Sequence, residues 1–255
     1  MKKVIVFGDL PIATKIVQFL ETLDDVEIGI VIGNNNPHNN DPWEDTPLLF
    51  DYAIQKNIPM YSLENLICSY STNELTLGLS CRFSKIIKKN VIDLFKNGII
   101  NMHGGLLPEF AGLCSVNHTI IQNSPVGGGT LHYIDEGIDT GNIIKRCEFK
   151  LSDTDTAYSV FQKTQIELEK NLEEIIPKAL NGIVESKSMT EYIKEGHESH
   201  YYNKKDLEKF RCIEKMDLND KNFQRMIRAF DFPGYEPAYV IDGSGNKLYL
   251  RYTQY

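Results

Sequence analysis

The chain has 255 residues, of which 42% are hydrophobic and 24% charged, as is typical of a globular protein with one large domain or one average and one small domain. Its formal net charge is −8, and residues 183–255 carry 12 basic and 12 acidic residues, which leaves no basic patch of the kind that nucleic-acid binding needs. No apolar run approaches the roughly 18–20 residues that span a bilayer. We therefore expect neither nucleic acid nor membrane as a partner.

Cysteine usage indicates a reducing compartment. The five cysteines are odd in number and form no C-x-x-C pair, which argues against a disulfide framework or a cysteine-based zinc site. We expect free thiols and a cytoplasmic protein. The amino-terminal stretch MKKVIVFGDLP predicts a first strand rather than a signal peptide, because Gly8, Asp9 and Pro11 interrupt its apolar run.

Predicted strands and helices alternate along the first part of the chain. A strand at Lys3–Phe7, a helix over 12–22 and a strand at Val26–Gly33 predict an α/β, Rossmann-like fold with a mostly parallel, doubly wound sheet. Asn34–Asp45 is a polar, proline-containing loop that is long enough to be either mobile or functional. Further helices are predicted near 46–55, 63–69 and 88–96, and further strands near 58–61, 76–80, 98–101, 125–134 and 142–151.

A long helix closes this part of the chain. Apolar positions at helical spacing predict it over Thr156–Asn181, with N-caps offered by residues 152–155 and a glycine stop at Gly182. We place a domain boundary there, which gives a catalytic domain at 1–182 and an extension at 183–255. The extension is predicted to be a small α+β unit, helical over 204–229 and ending in a β-hairpin around Gly243–Gly245.

Three polar residues in the stretch Asn101–Gly141 are the strongest candidates for chemistry. Asn101 and His103 lie at the carboxyl end of a predicted central strand, where open α/β sheets bind ligands, and their spacing lets both face one crevice. Asp139 lies in a glycine-flanked acidic loop. A donor, a titratable ring and a carboxylate form a set suited to the attack of an amine on a carbonyl. A structural asparagine and a buried histidine are the alternative.

Other patterns favour weaker interpretations. The amino-terminal G-D-L-P loop lacks the G-x-G-x-x-G dinucleotide fingerprint. The spacings of His103, Cys114, His118 and His132 match no established metal site, so no metal is predicted. His132 alternates with apolar neighbours on a strand and is interpreted as structural, and His118 is placed on a helix face.

Ser115 admits two roles. No G-x-S-x-G elbow surrounds it, so a nucleophilic role is not favoured. We predict that it caps a helix over Val116–Gln122, although a capping serine beside a site can also contact a ligand.

The sequence N-M-H-G-G-L-L-P-E-F-A-G, followed by L-H-Y-I-D-E-G-I-D-T-G-N-I-I, closely resembles the formyltransferase family that uses 10-formyltetrahydrofolate. The resemblance covers roughly residues 1–182. It implies that a substrate amine attacks the formyl carbon while Asn101 and protonated His103 stabilise the oxyanion. Asp139 then holds His103 and helps to move the proton. His103 as the base for the amine is the alternative division of roles.

The same resemblance implies a binding place for the folate co-substrate. In this family the pterin lies against an extended segment before a helix and under the loop before the catalytic aspartate. The matching residues here are Phe83, Ser84, Lys85, Ile86, Ile134, Asp135, Gly137 and Ile138. Plain core packing of the Phe83 and Ile86 side chains is the alternative.

Two further segments resemble the sugar-nucleotide N-formyltransferases within this family: L-L-P-E-F-A-G-L-C-S-V-N-H and the tail around S-H-Y-Y-N-K-K-D-L-E-K-F and R-A-F-D-F-P-G-Y-E-P-A-Y. They imply formylation of a dTDP- or GDP-linked 3- or 4-amino-dideoxysugar for bacterial surface polysaccharide such as O-antigen. The predicted substrate contacts are Ser115, Asn117, Tyr201, Tyr202 and Lys204. The last three also fit a solvated helix start.

The resemblance also implies a homodimer through the closing hairpin, with Tyr249, Leu250 and Tyr252 as contacts, unless the hairpin only covers its own domain. Ala111 stands where many relatives have arginine, and this leaves the acceptor open. A formyltransferase for another acceptor, a formyltetrahydrofolate hydrolase and a non-catalytic folate-binding protein are the remaining alternatives.

Overall fold

The computed structural model describes residues 1–214, 217 and 219–252. Its central sheet has seven strands: β1 (Lys2–Gly8), β2 (Val26–Val31), β3 (Met60–Tyr61), β4 (Leu77–Cys81), β5 (Ile99–His103), β7 (Val126–Tyr133) and β8 (Ile143–Lys150). The strand order is β3-β2-β1-β4-β5-β7-β8. The first five strands run parallel, while β7 and β8 pair antiparallel at one edge. This confirms the predicted mostly parallel α/β fold.

The strand sequences explain why the sheet is buried on both faces. The apolar run Val4–Phe7 is completely covered, as expected for a parallel strand with helices above and below it. One hydrophobic core cluster lies on the face of the sheet that the first helix and the long helix cover. A second cluster lies on the opposite face of the sheet, around Phe7, Leu66 and Phe95.

The helices within residues 1–182 are α1 (Pro11–Leu20), α2 (Leu49–Lys56), α3 (Leu63–Ser69), α4 (Lys89–Ile92), α5 (Ser115–Ile121) and α6 (Ala157–Leu180). Two predictions need correction. The helix predicted over 88–96 is only the single turn α4, and the N-cap of α6 is Thr156, which forms a capping box with Ser159, rather than a residue of 152–155. Gly182 follows α6 with a left-handed φ of +68°, as the predicted stop requires.

The extension contains α7 (Met189–Lys194), β9 (Tyr201–Tyr202), α8 (Lys204–Arg211), α9 (Lys221–Ala229) and the hairpin β10 (Ala238–Ile241) and β11 (Lys247–Leu250). The hairpin prediction is confirmed. The helical content predicted over 204–229 is present as two helices, because α8 ends at Arg211 and α9 starts from a new N-cap, Asp220. The domain boundary after residue 182 stays a prediction.

The extension is joined to residues 1–182 by backbone pairing. β9 pairs in parallel with the short strand β6 (Ala111–Gly112), which lies between β5 and α5. The Leu113 amide donates to the Tyr202 carbonyl oxygen at 2.8 Å. A Cβ at Gly112 would lie 2.2 Å from that same oxygen, and the φ of Gly112 is +88°, so this position requires glycine.

Close contact between β7 and α6 fixes a second glycine. A Cβ at Gly129 would lie 2.7 Å from Leu168 Cδ1 on α6 and 2.8 Å from the His103 carbonyl oxygen on β5. We expect Gly129→Ala to lower the free energy of unfolding by about 1–3 kcal/mol, because the extra methyl overpacks a closed site. Gly243→Ala is the matched control, since a methyl there meets nothing within 4 Å. Equal chemical denaturation midpoints for the two variants would contradict the expectation.

Candidate active site

The end of β5 and the antiparallel edge bring four polar side chains together. Asn101 and His103 project from one face of β5, and β7 places His132 directly opposite Asn101. The loop after β7 then returns Asp139 to the same place. The structure thus brings together the predicted catalytic residues and adds a fourth, His132.

His103 is buried and held by hydrogen bonds. Its Nε2 donates to the Phe110 carbonyl oxygen at 2.7 Å, and its Nδ1 lies 3.4 Å from Asp139 Oδ2. Burial lowers the pKa of His103 below its usual value, and the opposing charge of Asp139 does not offset this. At neutral pH the free protein therefore holds a neutral ring with the proton on Nε2 and an open Nδ1 facing the carboxylate.

Asp139 is the charged member of the set. Its Oδ2 accepts from the Gly112 amide at 2.9 Å, and its Oδ1 lies 3.6 Å from His132 Nε2. Burial alone would raise the pKa of Asp139, but contact with the His132 ring, the positive charge that His103 carries once it is protonated in acid and the hydrogen bond from the Gly112 amide outweigh burial and lower this pKa to about 2. The carboxylate is consequently ionised throughout the physiological range.

His132 was interpreted as a structural histidine, and that interpretation was incomplete. Its Nδ1 donates to the Tyr133 carbonyl oxygen at 2.8 Å, and its Nε2 lies 3.1 Å from Asn101 Nδ2, from which it can accept. This contact fixes the Asn101 amide beside Asp139. One feature of the sequence could have placed His132 in the site: its strand leads directly into the loop that carries Asp139.

A cavity of about 200 Å³ opens on the side of Asn101, His132 and Asp139. We call it the loop cavity. Of the predicted folate-contacting residues, seven line it: Phe83, Lys85, Ile86, Ile134, Asp135, Gly137 and Ile138. Ser84 is not among the lining residues, and its Oγ lies 2.2 Å from where a Cβ on Gly33 would be. Ile86 and Ile138 are 71% and 53% exposed, so core packing does not account for their side chains.

A second cavity, of about 430 Å³, opens on the side of His103. We call it the arginine cavity, because Arg82 and Arg211 both line it. Its aromatic lining comes from α6 and the extension: Phe161, Phe230, Phe232 and Tyr235. Phe230, Phe232 and Tyr235 belong to the quoted segment R-A-F-D-F-P-G-Y-E-P-A-Y, but no sequence pattern predicted Arg82 or Arg211 as site residues.

Each arginine of this cavity is held in place by an acid. Arg82, at the carboxyl end of β4, contacts Asp41 Oδ1 at 2.5 Å and stacks over the Phe161 ring at 4.8 Å. Asp41 belongs to the predicted polar loop and also accepts from the Ile12 amide at 3.0 Å, which shows a positioning role for that loop. Arg211 Nη2 and Nε reach the two carboxylate oxygens of Glu208 at 2.7 and 2.8 Å.

Ser115 and Asn117 both line the arginine cavity. The N-cap prediction for Ser115 is wrong: α5 begins at Ser115 itself, and the cap residue is Cys114 in a left-handed conformation without a side-chain capping bond. Ser115 Oγ instead lies 3.4 Å from His103 Nε2. Asn117 Nδ2 donates to the Ala229 carbonyl oxygen at 2.7 Å and so ties α5 to α9.

The structure places the other predicted substrate contacts elsewhere. Tyr201, Tyr202 and Lys204 do not line the arginine cavity. The Tyr202 ring stacks on His118 with 3.9 Å between ring centroids, and Tyr201 is exposed. Their role in substrate binding stays a prediction.

Within residues 1–214, 217 and 219–252, no group of three or more His, Cys, Asp or Glu side chains is arranged to hold a metal ion. None of the helices in the described part of the chain, α6 included, has both the length and the apolar character needed to cross a membrane.

Comparison with known proteins assigns this site to a family. Residues 61–179 match the family model described as Formyl transferase, and this range contains all four polar side chains of the site. The chain contains a formyl transferase domain. The resemblance read from the N-M-H-G-G-L-L-P and D-E-G-I-D-T-G segments is therefore confirmed.

Two solved structures share the fold of this formyl transferase domain and its extension. A 4-N formyltransferase from Francisella tularensis is 21% identical, with a TM-score of 0.75 and coverage of 100% of this chain and 99% of that one. An N-formyltransferase from Helicobacter canadensis, in complex with folinic acid and dTDP-3-aminofucose, is 26% identical, with a TM-score of 0.70 over 91% of this chain and 81% of that one.

Among curated proteins, the methionyl-tRNA formyltransferase of Clostridium tetani is 34% identical over 187 residues. The match covers 71% of this chain but only 58% of that relative.

Proposed function

We propose that the protein transfers a formyl group from 10-formyltetrahydrofolate to the amine of a nucleotide-linked amino sugar. The observation that carries this proposal is the position of the polar set between two cavities. Asn101, His132 and Asp139 line the loop cavity, while His103 lines the arginine cavity. Group transfer between two bound molecules requires such an arrangement, whereas a folate-binding protein without activity needs only one cavity.

The loop cavity is the proposed folate site. Apolar side chains of Phe83, Ile86, Ile134 and Ile138 surround it, and the polar set forms its inner end. The resemblance to the formyltransferase family implies the same residues as the pterin site. The structure of the Helicobacter canadensis relative holds folinic acid, which also supports a folate ligand.

The proposed division of roles follows from the hydrogen bonds. Asn101 Nδ2 supplies a donor for negative charge that develops on the formyl oxygen. His103 accepts the amine proton at Nδ1, because this nitrogen is open in the neutral ring and faces Asp139. Asp139 then stabilises the imidazolium through the new ion pair. Collapse of the tetrahedral intermediate re-forms the formyl carbonyl and breaks the bond to the folate nitrogen, which takes up the proton from His103 as tetrahydrofolate leaves. These roles favour His103 as the base over a permanently protonated His103.

The arginine cavity is the proposed acceptor site. Arginine guanidinium groups suit a diphosphate, and aromatic rings suit a nucleobase. Arg82 and Arg211 together with Tyr235 and the phenylalanines of the extension provide both. An acceptor tRNA would require a basic surface, which a chain with a net charge of −8 does not favour. We favour a dTDP-linked 3- or 4-amino-dideoxysugar, with a GDP-linked sugar as the second candidate and O-antigen synthesis as the expected setting.

The deciding experiment supplies 10-formyltetrahydrofolate with a panel of dTDP- and GDP-linked amino sugars and follows the mass of each sugar. Addition of one formyl group to at least one member supports the proposal. Release of tetrahydrofolate without any formylated sugar would instead assign a formyltetrahydrofolate hydrolase. Folate binding without either product would assign the non-catalytic role.

The pH dependence tests the role of His103. Since burial lowers the pKa of His103 below 6.5, its neutral form dominates at neutral pH and is lost only at lower pH. We expect kcat/KM to be flat around pH 7–8 and to fall as the pH drops through a value below about 6.5. A rate that instead rises toward acid pH would show that the protonated ring is the active form.

A homodimer through the closing hairpin remains part of the proposal. Tyr249 and Tyr252 are 53% and 41% exposed and are available as contacts. Leu250 packs partly against the small core of Phe223, Ile227 and Val240, which supports the alternative role of covering its own domain. Analytical sedimentation of wild type and Tyr249→Ser distinguishes these two roles of the hairpin. The mass of the sedimenting particle falls from dimer to monomer only if Tyr249 is a dimer contact.

A further inference from the structure

A cleft away from the proposed active site carries three basic side chains. Lys150 lies at the end of β8, and Arg225 and Arg228 lie on α9 of the extension. Together with Asn123 and Ser124 they line a cavity of about 280 Å³, which we call the basic cleft. In the part of the chain that the structure describes, no ion pair joins any of these three side chains to an acid within 4.0 Å.

The state of Arg225 points to a missing partner. Its Nε is buried and makes no hydrogen bond with the described residues. Buried polar atoms are rarely left in this state, and a buried donor of a charged group is among the more costly cases. A partner in the cleft would remove that cost.

Arg228 increases the unbalanced charge. It lies three residues from Arg225, one helical turn away on the same face of α9, where like charges repel. Its Nη1 donates to the Asp155 carbonyl oxygen at 2.7 Å rather than to a carboxylate. Burial lowers the pKa of Arg228, and the charge of Arg225 acts in the same direction, while the charges of Asp153 and Asp155 only partly oppose this.

The two acids in the wall of the cleft do not neutralise the three cations. The Asp155 carboxylate is already bound by Lys163 Nζ at 2.6 Å and accepts from the Ser152 amide at 2.9 Å. Asp153 lines the cleft without an ion pair to either arginine within 4.0 Å. The cleft therefore keeps a positive charge in a chain whose net charge is −8.

We propose that the basic cleft binds a phosphoryl anion, held by the guanidinium groups of Arg225 and Arg228 and by the Lys150 ammonium. Guanidinium forks match the geometry of phosphate oxygens, and a compact ammonium adds a point charge. Asn123 and Ser124 supply uncharged polar groups in the opposite wall. The anion is either free phosphate or the phosphate of a small metabolite.

The position of the cleft gives this anion a structural consequence. Its roof is α9, and its floor is the end of α5, the start of β7 and the end of β8. Directly after Arg228, at the carboxyl end of α9, the Ala229 carbonyl accepts from Asn117, and the next residue, Phe230, lines the arginine cavity. A bound anion therefore holds α9 against the catalytic part and stabilises one wall of the arginine cavity. The proposal does not depend on the reaction assigned to that cavity.

The test measures the binding of inorganic phosphate and of glucose 1-phosphate to the full chain by calorimetry, with chloride at matched ionic strength as the blank. We expect both to bind and Arg225→Gln to weaken the tighter one about 10–100-fold, because one charged hydrogen-bonding group is lost. Arg225→Lys should recover part of the affinity. Lys221→Gln, which removes an exposed cation of α9 outside the cleft, should leave it unchanged.

The outcomes separate the sources and the sites. Tighter binding of glucose 1-phosphate assigns a phosphorylated metabolite, and tighter binding of phosphate assigns the free ion. Loss of binding in Arg82→Gln but not in Arg225→Gln would place the anion in the arginine cavity and overturn the proposal, as would no binding above the chloride blank. If Arg225→Gln fails to fold by circular dichroism, Arg228→Gln and Lys150→Gln provide the same comparison.

Discussion

Replacing His103 with asparagine is expected to lower kcat for formyl transfer by about 10²–10⁴-fold, the usual contribution of a positioned base. The substitution removes the titratable ring. An asparagine amide takes the place of His103 Nδ1 beside Asp139, while the hydrogen bond that His103 Nε2 donates to the Phe110 carbonyl at 2.7 Å is lost. Because His103 does not line the loop cavity, the affinity for folate should change little.

The measurement pairs steady-state rates with folate binding by fluorescence. His200→Asn is the matched control, because His200 is exposed and bonds only to Glu198 and the adjoining strand in the described structure. A His103→Asn variant with near-normal kcat would exclude His103 as the base. A variant that lost folate binding as well as turnover would show that His103 shapes the loop cavity rather than moving a proton.

Asp139→Asn is expected to reduce kcat/KM by about 10³–10⁴-fold, in the range seen when a histidine loses its orienting carboxylate. The amide can still accept from the Gly112 amide, so the local backbone should persist. What disappears is the charge that stabilises a protonated His103. The acid limb of the pH profile should consequently move to still lower pH in any residual activity.

Stability at low pH gives an independent readout for the same variant. The pKa of Asp139 falls from 3.8 to about 2 on folding, so its stabilising contribution is present above pH 3.8 and is lost as the pH falls from 3.8 to about 2. The lost contribution amounts to about 2 kcal/mol. Asp139→Asn should lack this component, whereas Asp93→Asn, at an exposed surface ion pair with Lys89, should retain it. Identical acid unfolding curves for the two variants would contradict the assignment.

The sequence predicted those parts of the site that depend on one strand and its loop. Asn101 and His103 follow from a two-residue period at the carboxyl end of a parallel strand, which is local information. The place of His132 in the site was not predicted, because the antiparallel register of β5 and β7 sets its contact with Asn101. Residue spacing along the sequence does not reveal that register. The alternation of His132 with apolar neighbours looked structural for the same reason.

The arginine cavity shows a different limit. Its lining is drawn from β4, α5, α6, α8 and the segment after α9, which are far apart in the sequence. Arg82 could nevertheless have been predicted, because it directly follows the parallel strand β4, and ligands bind at the carboxyl ends of such strands. Arg211 was not, because it becomes part of the cavity only when α8 ends and the chain turns toward Glu236, whose carbonyl oxygen accepts from Arg211.

The pairing of β6 with β9 has a consequence for how such proteins diversify. Gly112 donates its amide to Asp139, while its neighbours Ala111 and Leu113 donate theirs to His200 and Tyr202 of the extension. The segment that orients the Asp139 carboxylate is thus the segment that holds the extension. A tail borrowed from another family member would have to reproduce this backbone pairing before any of its own acceptor contacts mattered. New acceptor specificity should therefore arise more readily by substitution within α8 and α9 than by exchange of whole tails.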